Sequence, residues 1–207
     1  MKSFGIGIAF ILLLLNSASA QVQFLLLSGQ EFEGKILSQT EEYLEIEYER
    51  KGKTKVKMMD KTRFFSYTVD GKETIVYDPE ESELGFSVED MRYYIYGQQD
   101  ALVKHKTTLP VITSAVVSFG TAFYAGYEGS GLVVLSPVVG TIAGSLTQRN
   151  GPTLKSDINP EYLNKPAYIM GYKKQAKARK VLNCIGIGIA SATAGALAGL
   201  ITGNNTP

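Results

Sequence analysis

Apolar and polar residues alternate with a period of two from residue 21 to residue 78. Leu44, Ile46 and Tyr48, for example, are separated by glutamates. Such alternation is typical of half-buried β-strands, and the Asp70-Gly71 pair is a strong two-residue hairpin signal. The pattern predicts a small antiparallel barrel or sheet over residues 21–79, in which Gly34 suits a bulge or a sharp bend.

The remainder of the chain changes to helical spacing and then loses its charges. Residues 80–106 predict an acidic linker and an amphipathic helix, and residues 107–148 predict a glycine-rich apolar helical hairpin that turns near Glu128. Residues 149–180 predict a basic linker and helix, and residues 181–207 a glycine-rich apolar helix and tail. The predicted fold class is therefore α+β, with a small SH3-like barrel or sheet followed by helices.

Three stretches carry no charged residue, namely 107–127, 129–148 and 181–207. At ~1.5 Å per residue, each is just long enough to cross a hydrocarbon core of ~30 Å. Their glycine, serine and threonine content weakens the apolar signal, so a soluble hairpin buried in an oligomer is an alternative.

Small residues recur every four positions in the apolar stretches, a spacing that creates a groove where another helix can approach closely. The predicted helix-packing positions are Gly140, Gly144, Gly186, Ser191, Gly195, Gly199 and Gly203.

A short sequence motif, the repeated phrase, occurs twice. Tyr94-Ile95-Tyr96-Gly97 and Tyr168-Ile169-Met170-Gly171 are each followed by basic residues and then by a charge-free stretch. The repetition indicates one structural unit used twice, with chance similarity between amphipathic helices as the alternative. A glycine inside a helix costs stability, so both glycines predict close packing, with one copy against the other as one arrangement.

The N-terminus has the three parts of a secretory signal peptide. Lys2 precedes an apolar stretch over residues 5–15, and Ala18-Ser19-Ala20 forms a cleavage site. The mature chain is therefore predicted to begin at Gln21. An uncleaved membrane anchor is the alternative, but the apolar stretch is short for a span of ~20 residues.

The net charge of +1 conceals a strong segregation. Residues 21–106 hold 12 Lys and Arg against 17 Asp and Glu, a net charge of −5. Residues 148–180 hold 8 against 2, a net charge of +6. An acidic module repels nucleic acid, whereas a basic helix suits anionic lipid headgroups. The residues predicted to lie on the membrane surface are Lys173, Lys174, Lys177, Arg179 and Lys180.

The sequence offers no constellation for catalysis. His105 is the only histidine and stands between two lysines, where a surface or helix-capping role is expected. Cys184 is the only cysteine, and its apolar neighbours predict that it is a small buried hydrophobic residue. No ligand cluster, phosphate loop or nucleophile–base pair can be argued, so we expect no enzyme activity, no metal and no cofactor.

Two resemblances follow from these motifs. Residues 27–36 resemble the start of Sm-like and other SH3-like barrels, in which a glycine turn precedes a strongly bent strand. That resemblance implies RNA binding. The acidic charge of the module and the signal peptide both argue against RNA binding. The whole layout is similar to uncharacterised envelope proteins of Bacteroidota, in particular Glu89 to Gly97 and Gly171 to Lys174. This resemblance implies an exported, membrane-associated protein in which residues 21–79, the β-module, are periplasmic.

Two functions are consistent with these observations. The first is a non-catalytic scaffold or adaptor that binds membrane lipid and either a protein partner or further copies of itself. The second is an oligomeric pore or transport component lined by the small-residue helices. Neither involves nucleic acid.

Overall fold

The computed structural model describes residues 21–148, 150–151 and 160–204. The predicted signal peptide, part of the basic linker and the end of the tail lie outside the described residues. The described chain forms two compact units, one up to Val88 and one from Glu89 onwards. The first unit is a β-sheet and the second is helical, which confirms the predicted α+β class.

The first unit is a six-stranded antiparallel sheet with the order β4-β3-β2-β1-β5-β6. Its strands are β1 (Val22–Leu26), β2 (Glu31–Gln39), β3 (Tyr43–Arg50), β4 (Lys53–Asp60), β5 (Phe64–Val69) and β6 (Lys72–Ile75). Strands β4 and β6 are the two edges of the sheet. Of the predicted alternatives, the structure is therefore an open sheet and not a closed barrel.

Two hairpins of the sheet use two-residue turns with positive φ angles. Lys51 and Gly52 have φ of 56° and 70°, and Asp70 and Gly71 have 50° and 79°. Turns of this type match the right-handed twist of the strands that they join. The bulge that was one of the two alternatives for Gly34 lies elsewhere, because the β2–β3 register shifts between Ile36 and Ser38.

One face of the sheet forms the core of the first unit. Phe24 on the central strand β1 is fully buried, and its ring stacks on Phe32 with 5.0 Å between centroids. Gly34 belongs to this packing, because a Cβ there would lie 2.7 Å from the carbonyl oxygen of Glu47. The core residues are Val22, Phe24, Leu26, Leu44, Ile46, Met59 and Phe64.

The described residues of the second unit form four α-helices. They are α1 (Val88–Lys104), α2 (Thr108–Tyr127), α3 (Ser136–Leu146) and α4 (Pro166–Gly203), with 3₁₀ turns at Gly131–Leu135 and Pro160–Asn164. The sequence predicted separate basic and apolar helices on either side of residue 180, but α4 is a single helix of 38 residues. The composition changes near Lys180 without a glycine or proline that would end the helix.

Helices α2 and α4 run parallel to each other. Gly195 lies against Phe119 and Gly203 against Tyr127, a constant offset of 76 positions. Helix α3 returns antiparallel along the first half of α2, where Gly144 meets Pro110. We call α2, the 3₁₀ turn at 131–135, α3 and residues 181–203 of α4 the apolar unit.

Candidate functional site

The interior of the apolar unit is built from small residues. A Cβ on Gly126 would lie 2.7 Å from the carbonyl oxygen of Ala196, and one on Gly203 would lie 2.7 Å from that of Tyr127. Cβ atoms are essentially never found closer than 3.0 Å to such atoms. The helices therefore touch backbone to backbone, a mode of packing that is common between membrane helices.

Five of the predicted packing positions lie at such contacts. At each of them a Cβ would come closer than 3.0 Å to a backbone oxygen of α2. These positions are Gly140, Gly144, Gly195, Gly199 and Gly203. Gly186 does not take part, because no described atom outside its own helix lies within 4 Å of where its Cβ would be. Ser191 is half-buried.

One serine satisfies a backbone carbonyl within this interior. Ser114 is fully buried, and its hydroxyl donates to the carbonyl oxygen of Cys184 at 2.9 Å. Cys184 itself is fully buried, as predicted. A hydroxyl that bonds across two apolar helices fixes their register without requiring contact with water.

The outer surface of the apolar unit is covered by large apolar side chains. Only 33% of the most apolar window of α2 and 28% of that of α4 is buried. No charged residue occurs in the apolar unit. We call the following nineteen exposed side chains the apolar belt: Leu109, Ile112, Val116, Phe119, Tyr124, Tyr127, Leu132, Val134, Leu135, Val138, Val139, Ile142, Leu146, Leu182, Ile185, Ile189, Leu197, Leu200 and Ile201.

The small-inside, large-outside arrangement is the reverse of a water-soluble bundle, where large apolar residues fill the core. If leaving each side chain half-exposed costs about 1 kcal/mol, the belt in water would cost on the order of 20 kcal/mol. That exceeds the ~5–15 kcal/mol by which a domain is usually stable. Helices α2 and α4 are both long and apolar enough to cross a membrane.

Comparisons of the chain with protein-family models, curated proteins and solved structures found no match. The resemblance to envelope proteins of Bacteroidota stays a prediction.

The five basic residues predicted for the membrane surface divide into two groups. Lys173, Lys174 and Lys177 are exposed on α4, as a surface role requires. Lys180 is only 3% exposed; its ammonium group donates to the carbonyl oxygens of Ser145 at 2.6 Å and Gln148 at 2.8 Å.

Arg179, which is half-buried, also differs from the prediction. Its guanidinium donates to the carbonyl oxygens of Ala101, Leu102 and His105 at the end of α1. The last carbonyls of a helix lack partners within that helix and carry partial negative charge. Arg179 and Lys180 therefore cap the ends of α1 and α3, and neither presents its charge to a membrane surface as predicted.

His105 is buried, contrary to the surface or capping role expected from its lysine neighbours. It is 5% exposed, and its ring meets that of Tyr172 edge-on at 5.9 Å. Its Nε2 atom has no hydrogen-bond partner among the described residues. Burial, followed by the charges of Lys180 and Arg179, lowers the pKa of His105 below its ordinary value of 6.5. The imidazole is therefore held neutral.

The repeated phrase forms a helix crossing between α1 and α4. A Cβ on Gly97 would collide with the backbone of Tyr168 and Tyr172, and one on Gly171 would collide with the backbone of Tyr94. Each glycine thus packs on the tyrosine that begins the other copy. The structure confirms that one copy of the phrase lies against the other.

Tyrosines surround this crossing, a feature that the sequence pattern did not predict. The rings of Tyr96 and Tyr162 stack at 5.9 Å, and the fully buried Tyr168 donates to Asp100 at 2.7 Å. Burial and this hydrogen bond raise the pKa of the Tyr168 hydroxyl well above its ordinary range. Asp100 also forms an ion pair of 2.8 Å with Lys104. The spacing of tyrosines around both glycines was the available signal.

Within the described residues, no group of three or more His, Cys, Asp or Glu side chains is placed to hold a metal ion. The β-module has its own exposed apolar positions on edge strand β4, where Val56 is 54% and Met58 65% exposed. Both alternate with lysines along the strand and lie opposite Glu47 and Glu45 of β3.

Proposed function

We propose that this chain is an exported, non-catalytic envelope scaffold. In this proposal the apolar unit lies in a membrane and the β-module binds a protein or wall partner. The observation that carries the proposal is the reversed packing of the apolar unit. An apolar belt over a small-residue interior needs hydrocarbon around it, because water would make that surface too costly.

The basic residues support the same location. Lys173, Lys174 and Lys177 lie on α4 just before its apolar part, and no carboxylate lies within 4 Å of their ammonium groups in the described part of the chain. Lys177 precedes Leu182 of the belt by five positions, or ~7.5 Å along the helix. That distance matches the headgroup layer of a bilayer, where lysines can contact anionic lipid.

Membrane fractionation tests this location. The chain should stay in the membrane pellet after washing with alkaline carbonate and should leave it only when detergent is added. Release by carbonate alone would refute the proposal and favour the alternative of a soluble oligomer that buries the belt.

The edge strand β4 supports a partner-binding role for the β-module. An exposed edge offers unpaired backbone groups to a strand of another protein, and Val56 and Met58 add apolar area beside it. A pull-down from detergent-solubilised membranes should retain a partner with the native chain and lose it with the double variant Val56→Lys and Met58→Lys. Leu84→Lys, at an exposed position outside the sheet, is the matched control.

An oligomeric pore or transport component is the second candidate. One observation favours it: Gly186, Ala190 and Ala194 form an exposed row of small residues on α4, and a Cβ added at Gly186 would meet no described atom of another helix within 4 Å. Such a row would let a second copy approach closely. Leakage of ions from vesicles that contain the purified chain would support the pore. Vesicles that stay sealed would argue against the pore and favour the scaffold.

A further inference from the structure

We infer that the apolar unit crosses one bilayer completely and three times, so that the α2–α3 turn and the end of α4 face the side opposite to α1. This inference rests on the proposed membrane location and deepens it. The alternative is a hairpin that enters the bilayer and returns without crossing.

Three helix ends lie at the same level on the side of α1. Asn183 donates to the hydroxyl of Thr107 at 2.9 Å, which aligns the start of α2 with the start of the apolar part of α4. Lys180 holds the carbonyls of Ser145 and Gln148, so the end of α3 lies at this level as well. One boundary of the apolar unit is therefore common to all three helices.

The opposite ends are also level. Gly203 in the last turn of α4 packs on Tyr127 in the last turn of α2, and Gly126 packs on Ala196. The tight turn that follows Tyr127 is closed by Gly129, whose φ is 65°. The α2–α3 turn therefore reaches the same depth as the C-terminal end of α4.

The length between the two boundaries matches a full bilayer. Helix α2 has 20 residues, or ~30 Å, and residues 181–203 of α4 extend ~34 Å. The return arm joins a five-residue 3₁₀ turn to the eleven residues of α3, which gives ~27 Å. A hydrocarbon core is ~30 Å thick, whereas a hairpin that stopped half-way would need arms of only ~15 Å.

The charges at the two ends differ. The α1 side holds the exposed lysines Lys106, Lys173, Lys174 and Lys177, whereas Glu128 is the only charged residue of the far turn. The two sides are thus chemically distinct. The predicted signal peptide would place the α1 side in the exported compartment, whereas lysines beside membrane helices favour the cytoplasmic side, and the labelling experiment distinguishes these two orientations.

Single cysteines test the arrangement in the full-length chain. Cys184 is fully buried, and Cys184→Ala gives a background without cysteine. Ser130→Cys and Asn204→Cys report on the far end, and Lys106→Cys and Lys173→Cys report on the α1 end. Val116→Cys, at a residue that is 66% exposed near the middle of α2, is the matched control.

Cells that express each variant are treated with a membrane-impermeant maleimide before and after permeabilisation. We expect the two cysteines of one end to react in intact cells and the two cysteines of the other end to react only after permeabilisation. The belt cysteine should react only after detergent is added. If Ser130→Cys does not accumulate, Glu128→Cys tests the same turn.

Two other results are informative. If the Ser130 cysteine reacts together with the Lys106 cysteine while the belt cysteine stays protected, the hairpin is re-entrant and the three-crossing inference is overturned. If the belt cysteine reacts without detergent, the apolar unit is not in hydrocarbon, and the proposed function fails together with the inference.

Discussion

Adding one carbon atom at Gly199 should destabilise the apolar unit, whereas adding the same atom at Gly186 should not. Both glycines lie in α4, thirteen positions apart. A Cβ on Gly199 would lie 2.8 Å from the backbone nitrogen of Tyr127 and closer still to the carbonyl oxygen of Phe123. A Cβ on Gly186 would meet no described atom within 4 Å outside its helix.

The magnitude follows from the required movement. Ordinary contact begins at 3.4 Å, so Gly199→Ala must shift α4 from α2 by at least ~0.6 Å. A gap of that size removes a quarter or more of the dispersion attraction along the seam, and overpacking of this kind costs ~1–3 kcal/mol. The gain in helix propensity from glycine to alanine is ~1 kcal/mol at either position. Gly199→Ala should therefore be destabilising by ~1 kcal/mol, and Gly186→Ala stabilising by up to ~1 kcal/mol.

Thermal unfolding of the chain in detergent, followed by its helical circular dichroism, measures the difference. At ~2–4 °C per kcal/mol, the two variants should differ in Tm by ~4–8 °C, with the Gly199 variant lower. Leucine at the same two positions should widen the gap, because its side chain cannot fit between the backbones at Gly199. Equal shifts for both variants would show that the glycine row is compositional and that the packing argument fails.

Four further outcomes are expected. Lys180→Met should lower stability by ~2–4 kcal/mol, because two carbonyls lose their partner, while the exposed control Lys177→Met should stay within ~0.5 kcal/mol in the same unfolding assay. His105 is neutral in the fold, so the unfolded chain takes up its proton first and stability should decline as pH falls below 6.5 towards the lowered pKa; His105→Gln should flatten that part of the pH profile, and an unchanged profile would count against this assignment. Residues 21–79 alone should show strand-rich circular dichroism and no salt-sensitive RNA binding, which their net acidic charge opposes. Mass spectrometry should find the mature N-terminus at Gln21, and a chain that still begins with the signal segment would contradict the predicted cleavage.

Local patterns predicted the elements well. The period-two alternation identified the strands, and Asp70-Gly71 placed a hairpin turn, because both signals depend on neighbouring residues only. The bulge is different: it lies near Leu37 and not at Gly34, since the pairing of β2 with β3 decides where an extra residue fits. Whether the sheet is open or closed could not be predicted either, because no local pattern determines whether β4 pairs with β6.

The helix-packing glycines were predictable because a four-residue spacing places them on one helix face. The sequence did not show which helix face contacts a neighbour. Gly186 was therefore included in the predicted set although it faces outward. The partners of Lys180 could not be predicted for a related reason. A basic residue at the edge of an apolar stretch suits a lipid surface, and only the tertiary fold brings the end of α3 close enough to accept its hydrogen bonds. His105 was unpredictable in the same way, because it is buried against Tyr172 of α4, which is distant in sequence.

The junction at Arg179 and Lys180 explains how the two halves of the helical unit act together. Consecutive residues of a helix point ~100° apart, so these two cations reach different neighbours from a single turn of α4. Arg179 holds the end of α1, whereas Lys180 holds the end of α3. Helix α4 runs without a break from the aromatic crossing at Gly171 into the apolar unit. The pair of polar helices, α1 and the first part of α4, is therefore held at a fixed position relative to the apolar belt.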